Sequence, residues 1–278
     1  LCSRIIIVCC SHVVPVAVLC LASTLTGCGD RTGLLQAAQT SRQTGAADAA
    51  VALDAAVPSP VDGGQAACHP GTWVLLDAVR NARDLGGPPL QGGGTVACGA
   101  LYRSAAPVGL SAKACSDFLQ LGVRTVVDLR TPAERTASPT AVCVTDSTSL
   151  VTAPMPIPYA VSPADYIADM NATESVRAFF GLLADDSAYP IDVHCVYGRD
   201  RTGVMAAIVL LALGASRDVV AVEYDLTADA GIATYPASLA AVLDAIAQHG
   251  GIEAYLAGAG VAPETLTRAR ARLIVPPP

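Results

Sequence analysis

One stretch constrains the fold more than any other: Tyr189 to Gly203, Tyr-Pro-Ile-Asp-Val-His-Cys-Val-Tyr-Gly-Arg-Asp-Arg-Thr-Gly. Ile191 and Val193 read as a strand that delivers Cys195 to a loop ending at Arg201 and Gly203, and an apolar helical run follows from Val204 to Leu213. A strand, a cysteine loop and a helix in that order make a cradle for a tetrahedral oxyanion. Five residues between Cys195 and Arg201 are enough to curl the backbone so that the N–H groups of Val196, Tyr197, Gly198, Arg199 and Asp200 turn inward. The helix N-terminus behind them adds positive potential. The same field favours the Cys195 thiolate over the thiol, which makes it a nucleophile. Arg201 offers a planar fork to two oxygens at once, a geometry lysine lacks.

His194-Cys195-x-x-Gly198-Arg199-Asp200-Arg201-Thr202-Gly203 resembles the signature of cysteine-dependent protein tyrosine phosphatases. It is most similar to the bacterial branch that includes the secreted mycobacterial tyrosine and lipid phosphatases, whose loop reads His-Cys-x-x-Gly-Lys-Asp-Arg-Thr-Gly. Three further segments resemble that family: Asn81-Ala82-Arg83-Asp84-Leu85-Gly86-Gly87, Leu101-Tyr102-Arg103-Ser104-Ala105 and Asp128-Leu129-Arg130. The departures are Ala82 for the usual phenylalanine, Arg199 for the usual lysine and the bulky Tyr197 in place of a small residue.

Periodicity and punctuation predict an α/β fold with a central, largely parallel sheet flanked by helices and a helical C-terminal third. Ser111 caps a predicted helix over 112–121, with Ala114, Cys115, Phe118, Leu119 and Leu121 as core candidates. Val123 to Leu129 is a near-continuous apolar run, as a parallel strand covered on both faces requires. Asp128 and Arg130 stand at its carboxyl end, so they either face the ligand site or pair with Glu134 and Arg135 close by. Ser162-Pro163 opens a helical region read as reaching Leu183; its apolar stripe fits core packing, and the resemblance adds the alternative of a lid over the site. Arg83 and Asp84 read as a structural ion pair. Trp73 to Leu76 reads as a short strand, and helices are expected over 236–248 and 263–274.

The chain of 278 residues carries a net charge of −7 and a pI near 5.0, which excludes nucleic acid as a partner because backbone binding needs a basic face. Any phosphate site is therefore local. Residues 1–28 hold one early arginine, an apolar run from Ile5 to Leu21 and Leu25-Thr26-Gly27-Cys28, the layout of an export signal ending in a lipobox with Cys28 as the lipidated residue. The run is short for a membrane span, so lipidation is favoured over an uncleaved anchor. Residues 29–67 are rich in Ala, Asp, Gly, Gln, Thr and Pro and read as a flexible tether, leaving 68–278 as the folded domain. The expected location is the cell envelope or periplasm, with the membrane as a partner through the lipidated N-terminus. Export permits disulfides among Cys68, Cys98, Cys115 and Cys143, whose pairing spacing alone does not decide.

The resemblance implies hydrolysis of phosphomonoesters by a phosphocysteine route with no metal and no other cofactor. Cys195 is the expected nucleophile and Arg201 the oxyanion clamp. Asp200 is the first candidate for the proton donor to the leaving group, ahead of Asp128 and then Asp165. Val196, Tyr197, Gly198, Arg199, Thr202, Gly203, Asp128 and Arg130 are the expected substrate-binding residues. Thr202 is expected to give its hydroxyl to the sulfur, and His194 to hold the loop by hydrogen bonds. Phosphotyrosine protein is the first substrate class and phosphoinositide or inositol phosphate the alternative; a phosphate-binding lipoprotein without turnover is the non-enzymatic one.

Overall fold

The computed structural model describes residues 68–277 apart from positions 75, 77 and 78. The export signal, Cys28 and the tether over 29–67 lie outside the described residues.

The elements follow in the order β1 (Arg83–Asp84), β2 (Thr95–Val96), β3 (Leu101–Ser104), α1 (Ala112–Gln120), β4 (Thr125–Asp128), α2 (Pro132–Ala137), α3 (Val142–Thr145), β5 (Ser149–Thr152), α4 (Pro163–Met170), α5 (Thr173–Leu183), β6 (Ile191–His194), α6 (Asp200–Leu213), α7 (Arg217–Asp225), α8 (Pro236–Gln248), α9 (Ile252–Gly258), α10 (Pro263–Leu273) and β7 (Ile274–Val275). Five strands form one sheet in the order β1-β3-β6-β4-β5. Every pairing in it is parallel except the edge pair β1 with β3. A second ladder joins β2 to β7 and ties the C-terminal end to the early part of the domain.

Residue chemistry explains most boundaries. Ser111, Ser162 and Ser216 cap α1, α4 and α7 by accepting the N–H of the third helical residue. Gly214, at φ +95°, closes α6. That helix is buried on nearly every side, since Val204 to Leu210 are all inaccessible, and it packs under the sheet as a uniformly apolar helix must. Each valine, methionine, isoleucine and leucine in that run contributes roughly 1.5–3 kcal/mol of burial.

The helical region expected from Pro163 to Leu183 is present as two helices, because Asn171 caps α4 and the chain turns at Ala172 before α5. Two expectations are corrected. Leu119 of α1 is exposed, and the core side of that helix is Ala114 and Phe118. The segment beginning at Trp73 forms isolated bridges, Trp73 with Arg83 and Leu76 with Val79, in place of a strand. Among the described residues there are two disulfides, Cys68–Cys98 and Cys115–Cys143, so Cys115 and Cys143 are cross-linked rather than free core thiols. Closing sequence separations of 30 and 28 residues contributes about 3–4 kcal/mol each through the unfolded chain.

Candidate active site

Strand register builds the site. Ser104, Asp128 and His194 are the last paired residues of β3, β4 and β6, and they lie side by side. The loop leaving β6 therefore emerges between two parallel neighbours at the carboxyl edge of the sheet, where such folds place ligands. Cys195 comes next in the chain; it is buried and, among the described residues, the one cysteine outside a disulfide.

The loop carbonyls are drawn outward. Ala106 N–H donates to Val196 O at 3.1 Å, Asn81 Nδ2 to Tyr197 O at 3.2 Å and to Gly198 O at 2.9 Å, and Arg103 Nη2 to Gly198 O at 2.6 Å. A trans peptide places its N–H opposite its carbonyl, so the N–H groups of Tyr197, Gly198 and Arg199 face into the loop. They carry no hydrogen bond within the described residues. Gly198 is required here for two reasons. Its φ is +66°, and a Cβ would sit 2.4 Å from Ser104 O. Gly203 lets α6 approach α7, since a Cβ there would meet the Tyr224 ring at 2.9 Å.

Beneath this flank lies a buried tier that sequence reasoning did not find. Glu223 of α7 takes Arg83 Nε on one oxygen at 2.8 Å and Arg103 Nη1 on the other at 2.6 Å. Burial would raise the Glu223 pKa, but the two arginines hold it below the usual carboxylate range. Arg83 also donates to the Asn81 side chain, so the tier orients the amide that grips the loop. Arg83 thus pairs with Glu223 and not with Asp84, whose oxygens accept the N–H groups of Gly86 and Gly99.

The other flank holds side chains. Arg201 is buried and donates through Nη1 and Nη2 to Glu134 at 2.6 and 2.8 Å, and through Nη2 to Pro158 O at 3.1 Å. Its Nε is buried without a partner. Burial opposes the charge, but Glu134, Cys195 and Asp169 together raise the Arg201 pKa further, so the guanidinium stays ionised. Glu134 is itself fixed by the capping box of α2, in which it accepts Thr131 N–H at 2.8 Å. The pattern Thr131-Pro132-Ala133-Glu134 was a readable sign of that cap. On α4, Asp169 accepts Ile157 N–H at 3.0 Å; burial pushes its carboxyl up to about 7, against the pull of Arg201.

Asp200 opens α6 and is buried. Its Oδ1 accepts Tyr166 Oη–H at 2.6 Å and Arg199 Nε–H at 2.6 Å, and its Oδ2 accepts Arg199 Nη2 at 3.1 Å. Arg199 is thereby turned back on the protein. It also donates to Ala233 O at 3.0 Å and lies 4.6 Å over the Tyr235 ring. Tyr197, by contrast, is 41% exposed on the loop.

Asp128 and Arg130 are buried and satisfy each other, with Arg130 Nη2 to Asp128 Oδ2 at 2.7 Å; Arg130 also holds Ser138 O and Thr140 Oγ1. They pair with one another instead of with Glu134 and Arg135, and they brace the end of α2. Asp128 sits below the usual carboxylate range, because the hydrogen bonds and charge of Arg130 outweigh burial. Asp165 is a half-buried capping residue of α4, bound to Val161 N and Ser162 N. His194 donates from Nδ1 to Cys195 O at 3.1 Å, and burial lowers its pKa, so it is a neutral strut. The Thr202 hydroxyl is buried but makes no hydrogen bond to the sulfur.

A buried cysteine between strand and helix, inward N–H groups and a clamped arginine define a Cys-x5-Arg oxyanion loop on an α/β sheet. Residues 74–275 match the family model described as Tyrosine phosphatase family, and the chain belongs to that family. A Cupriavidus necator protein, provisionally named a tyrosine-protein phosphatase, is 33% identical over 169 residues, 54% of this chain and 61% of that one. The triple specificity protein phosphatase PtpB of Mycobacterium tuberculosis is 36% identical over 103 residues, 37% of this chain and 33% of its own length. The chain thus spans less than two thirds of either relative. Among solved structures, the core catalytic domain of the PP-IP phosphatase Siw14 from S. cerevisiae covers 56% of this chain and 89% of its own at 16% identity and a TM-score of 0.36.

Proposed function

We propose that the domain over 68–278 is a cysteine-dependent phosphatase acting on phosphotyrosine-type monoesters. One observation carries this reading: Cys195, the inward N–H groups of Tyr197 to Arg199 and the unpartnered Nε of the charged Arg201 converge on one loop. In the first step the Cys195 thiolate attacks phosphorus and the bond to the leaving oxygen breaks, while Asp200 gives that oxygen its proton. In the second, water attacks phosphorus, the S–P bond breaks and Asp200 takes the proton back. The loop N–H groups and Arg201 stabilise the equatorial oxygens throughout. Asp200 is preferred to Asp128 as the acid because it lies on the cysteine loop itself, whereas Asp128 is held at the end of β4 by four hydrogen bonds from Arg130.

An aryl leaving group is preferred to an inositol phosphate for two reasons. Tyr197 offers an exposed ring at the loop, and Arg199, the position expected to grip a second phosphate, commits three of its five N–H donors to Asp200 and Ala233. The test is hydrolysis of p-nitrophenyl phosphate by the full chain in detergent, inhibited by vanadate and lost in Cys195→Ser. Turnover surviving in that variant refutes the covalent route.

We also propose that the protein is exported and held at the membrane by a lipid on Cys28. The two disulfides support this, since such bonds persist in oxidising compartments. Metabolic labelling with a palmitate analogue checks it, with the label expected to vanish in Cys28→Ala.

A further inference from the structure

The segment for which the resemblance offered a lid is tied into the domain at several points. In α4, Tyr166, Asp169 and Met170 are buried. Tyr255 Oη of α9 donates to Met170 O at 2.6 Å, and Ser238 Oγ of α8 donates to Val161 O at 2.8 Å, just before the helix. At its centre Tyr166 reaches Asp200.

The hydrogens in this contact have one consistent arrangement. Tyr235 N–H donates to Tyr224 Oη at 3.0 Å. The Tyr166 and Tyr224 hydroxyls are 2.6 Å apart, and each has one proton. Tyr166 gives its proton to Asp200, so Tyr224 must give its own to Tyr166. Burial, then the charge of Asp200 and the Tyr224 hydroxyl, push the Tyr166 phenol far above its ordinary range, so it remains a donor. Asp200 Oδ1 therefore receives two hydrogen bonds, from Tyr166 and from Arg199 Nε, and both of its lone pairs are used. Oδ2 receives only the longer bond from Arg199 Nη2.

We propose that Tyr166 is a positioning residue which, with Arg199, fills Asp200 Oδ1 and so confines the transferable proton to Oδ2, orienting the acid toward the leaving oxygen; α4 is thus a fixed support for the acid. This rests on the phosphatase reading and on Asp200 as its proton donor. Around the carboxyl stand Arg199 of the loop, Tyr166 and Asp169 of α4, and Tyr224 of α7.

The test is a leaving-group series of aryl phosphates, from nitro-substituted to unsubstituted phenols, with the full chain in detergent as wild type, Tyr166→Phe and Tyr224→Phe. A departing nitrophenolate needs little help from an acid, whereas an unsubstituted phenolate needs much. In Tyr166→Phe, kcat/KM for phenyl phosphate, which reports the first step alone, is expected to fall about ten-fold, a fraction of what a whole general acid supplies. For p-nitrophenyl phosphate the fall is expected to stay under about three-fold, with KM and vanadate affinity unchanged. Tyr224→Phe is expected to show the same pattern more weakly, because Tyr166 keeps its bond to Asp200. A loss of equal size across the series, no loss at all, or a parallel loss of vanadate affinity overturns the proposal, since each makes Tyr166 either inert or merely structural. Failure of the parent reading looks different: a wild type without turnover, or turnover that survives Cys195→Ser.

Discussion

The two flanks of the cysteine loop are both dense in arginine and carboxylate, yet they hold different things. On the β3 and α7 side, Asn81 and Arg103 grip the loop carbonyls, with Arg83 and Glu223 holding them in place, and so set the direction of the loop N–H groups. On the α2 and α4 side, Glu134 and Tyr166 act on the side chains of Arg201 and Asp200. The first flank fixes shape and the second fixes charge and proton position. Substitutions on the first should cost stability and turnover together. Those on the second should cost turnover while the fold persists.

The largest effect is expected from Glu223→Ala. It leaves two buried arginines without a counter-charge, and breaking a buried pair from one side costs about 3–5 kcal/mol. Urea unfolding should show that loss, and vanadate binding should weaken with it because Arg103 and Asn81 no longer fix Gly198. A stable Glu223→Ala protein with normal vanadate affinity would dissolve the distinction between the flanks.

Asp200→Asn tests the opposite case. It keeps the shape of the side chain and removes the transferable proton, so kcat for phenyl phosphate should fall by about 10²–10⁴. The melting temperature should move little. Equal loss of stability and turnover would place Asp200 with the shape-setting group. Glu134→Gln comes next. Glutamine can still accept one bond from Arg201 but loses the charge and the second bond, so a fall of about ten-fold is expected in kcat/KM for p-nitrophenyl phosphate, less than the 10²–10³ typical of losing an oxyanion donor outright.

This division also explains what was readable before the fold was known. The loop is contiguous from His194 to Gly203, and the capping serines and the apolar run of α6 are local, so the sheet edge and the central helix could be placed from sequence. The flanks are not local. Arg83 and Glu223 are 140 residues apart and Arg201 and Glu134 are 67 apart, and nothing in either segment says which of the chain's 24 acids is the partner. Asp128 and Arg130 were a different kind of miss. Asp128 ends β4 and Arg130 stands two residues further on, within reach of it, so their mutual pairing was available from the spacing. The disulfide pairing had no such sign, because four cysteines allow three pairings.

The smallest expected effect on turnover comes from Asp192→Asn, which sharpens the comparison through pH. Glu223 and Asp192 are both fully buried carboxyls, but only Glu223 has arginines. Asp192 has the Ser104 hydroxyl at 3.0 Å, and burial raises its pKa to about 7. Ser104 has one proton and also bonds Ala105 O at 2.8 Å, so a protonated Asp192 satisfies all three groups by donating to Ser104 Oγ while Ser104 donates to Ala105 O. The signs then oppose. A depressed folded pKa makes the Glu223 contribution present above its unfolded value and lost as pH falls through the folded one. A raised folded pKa makes the Asp192 contribution present below its unfolded value and lost as pH rises toward about 7. The stability of Asp192→Asn relative to wild type should therefore climb by about 2–3 kcal/mol between roughly pH 5 and 7.5 and level off above it. Urea unfolding of both proteins across that range measures the difference, in which other titrating groups such as Asp169 and His194 cancel. A flat difference would mean that Asp192 stays ionised in the folded domain and that Ser104 alone satisfies it.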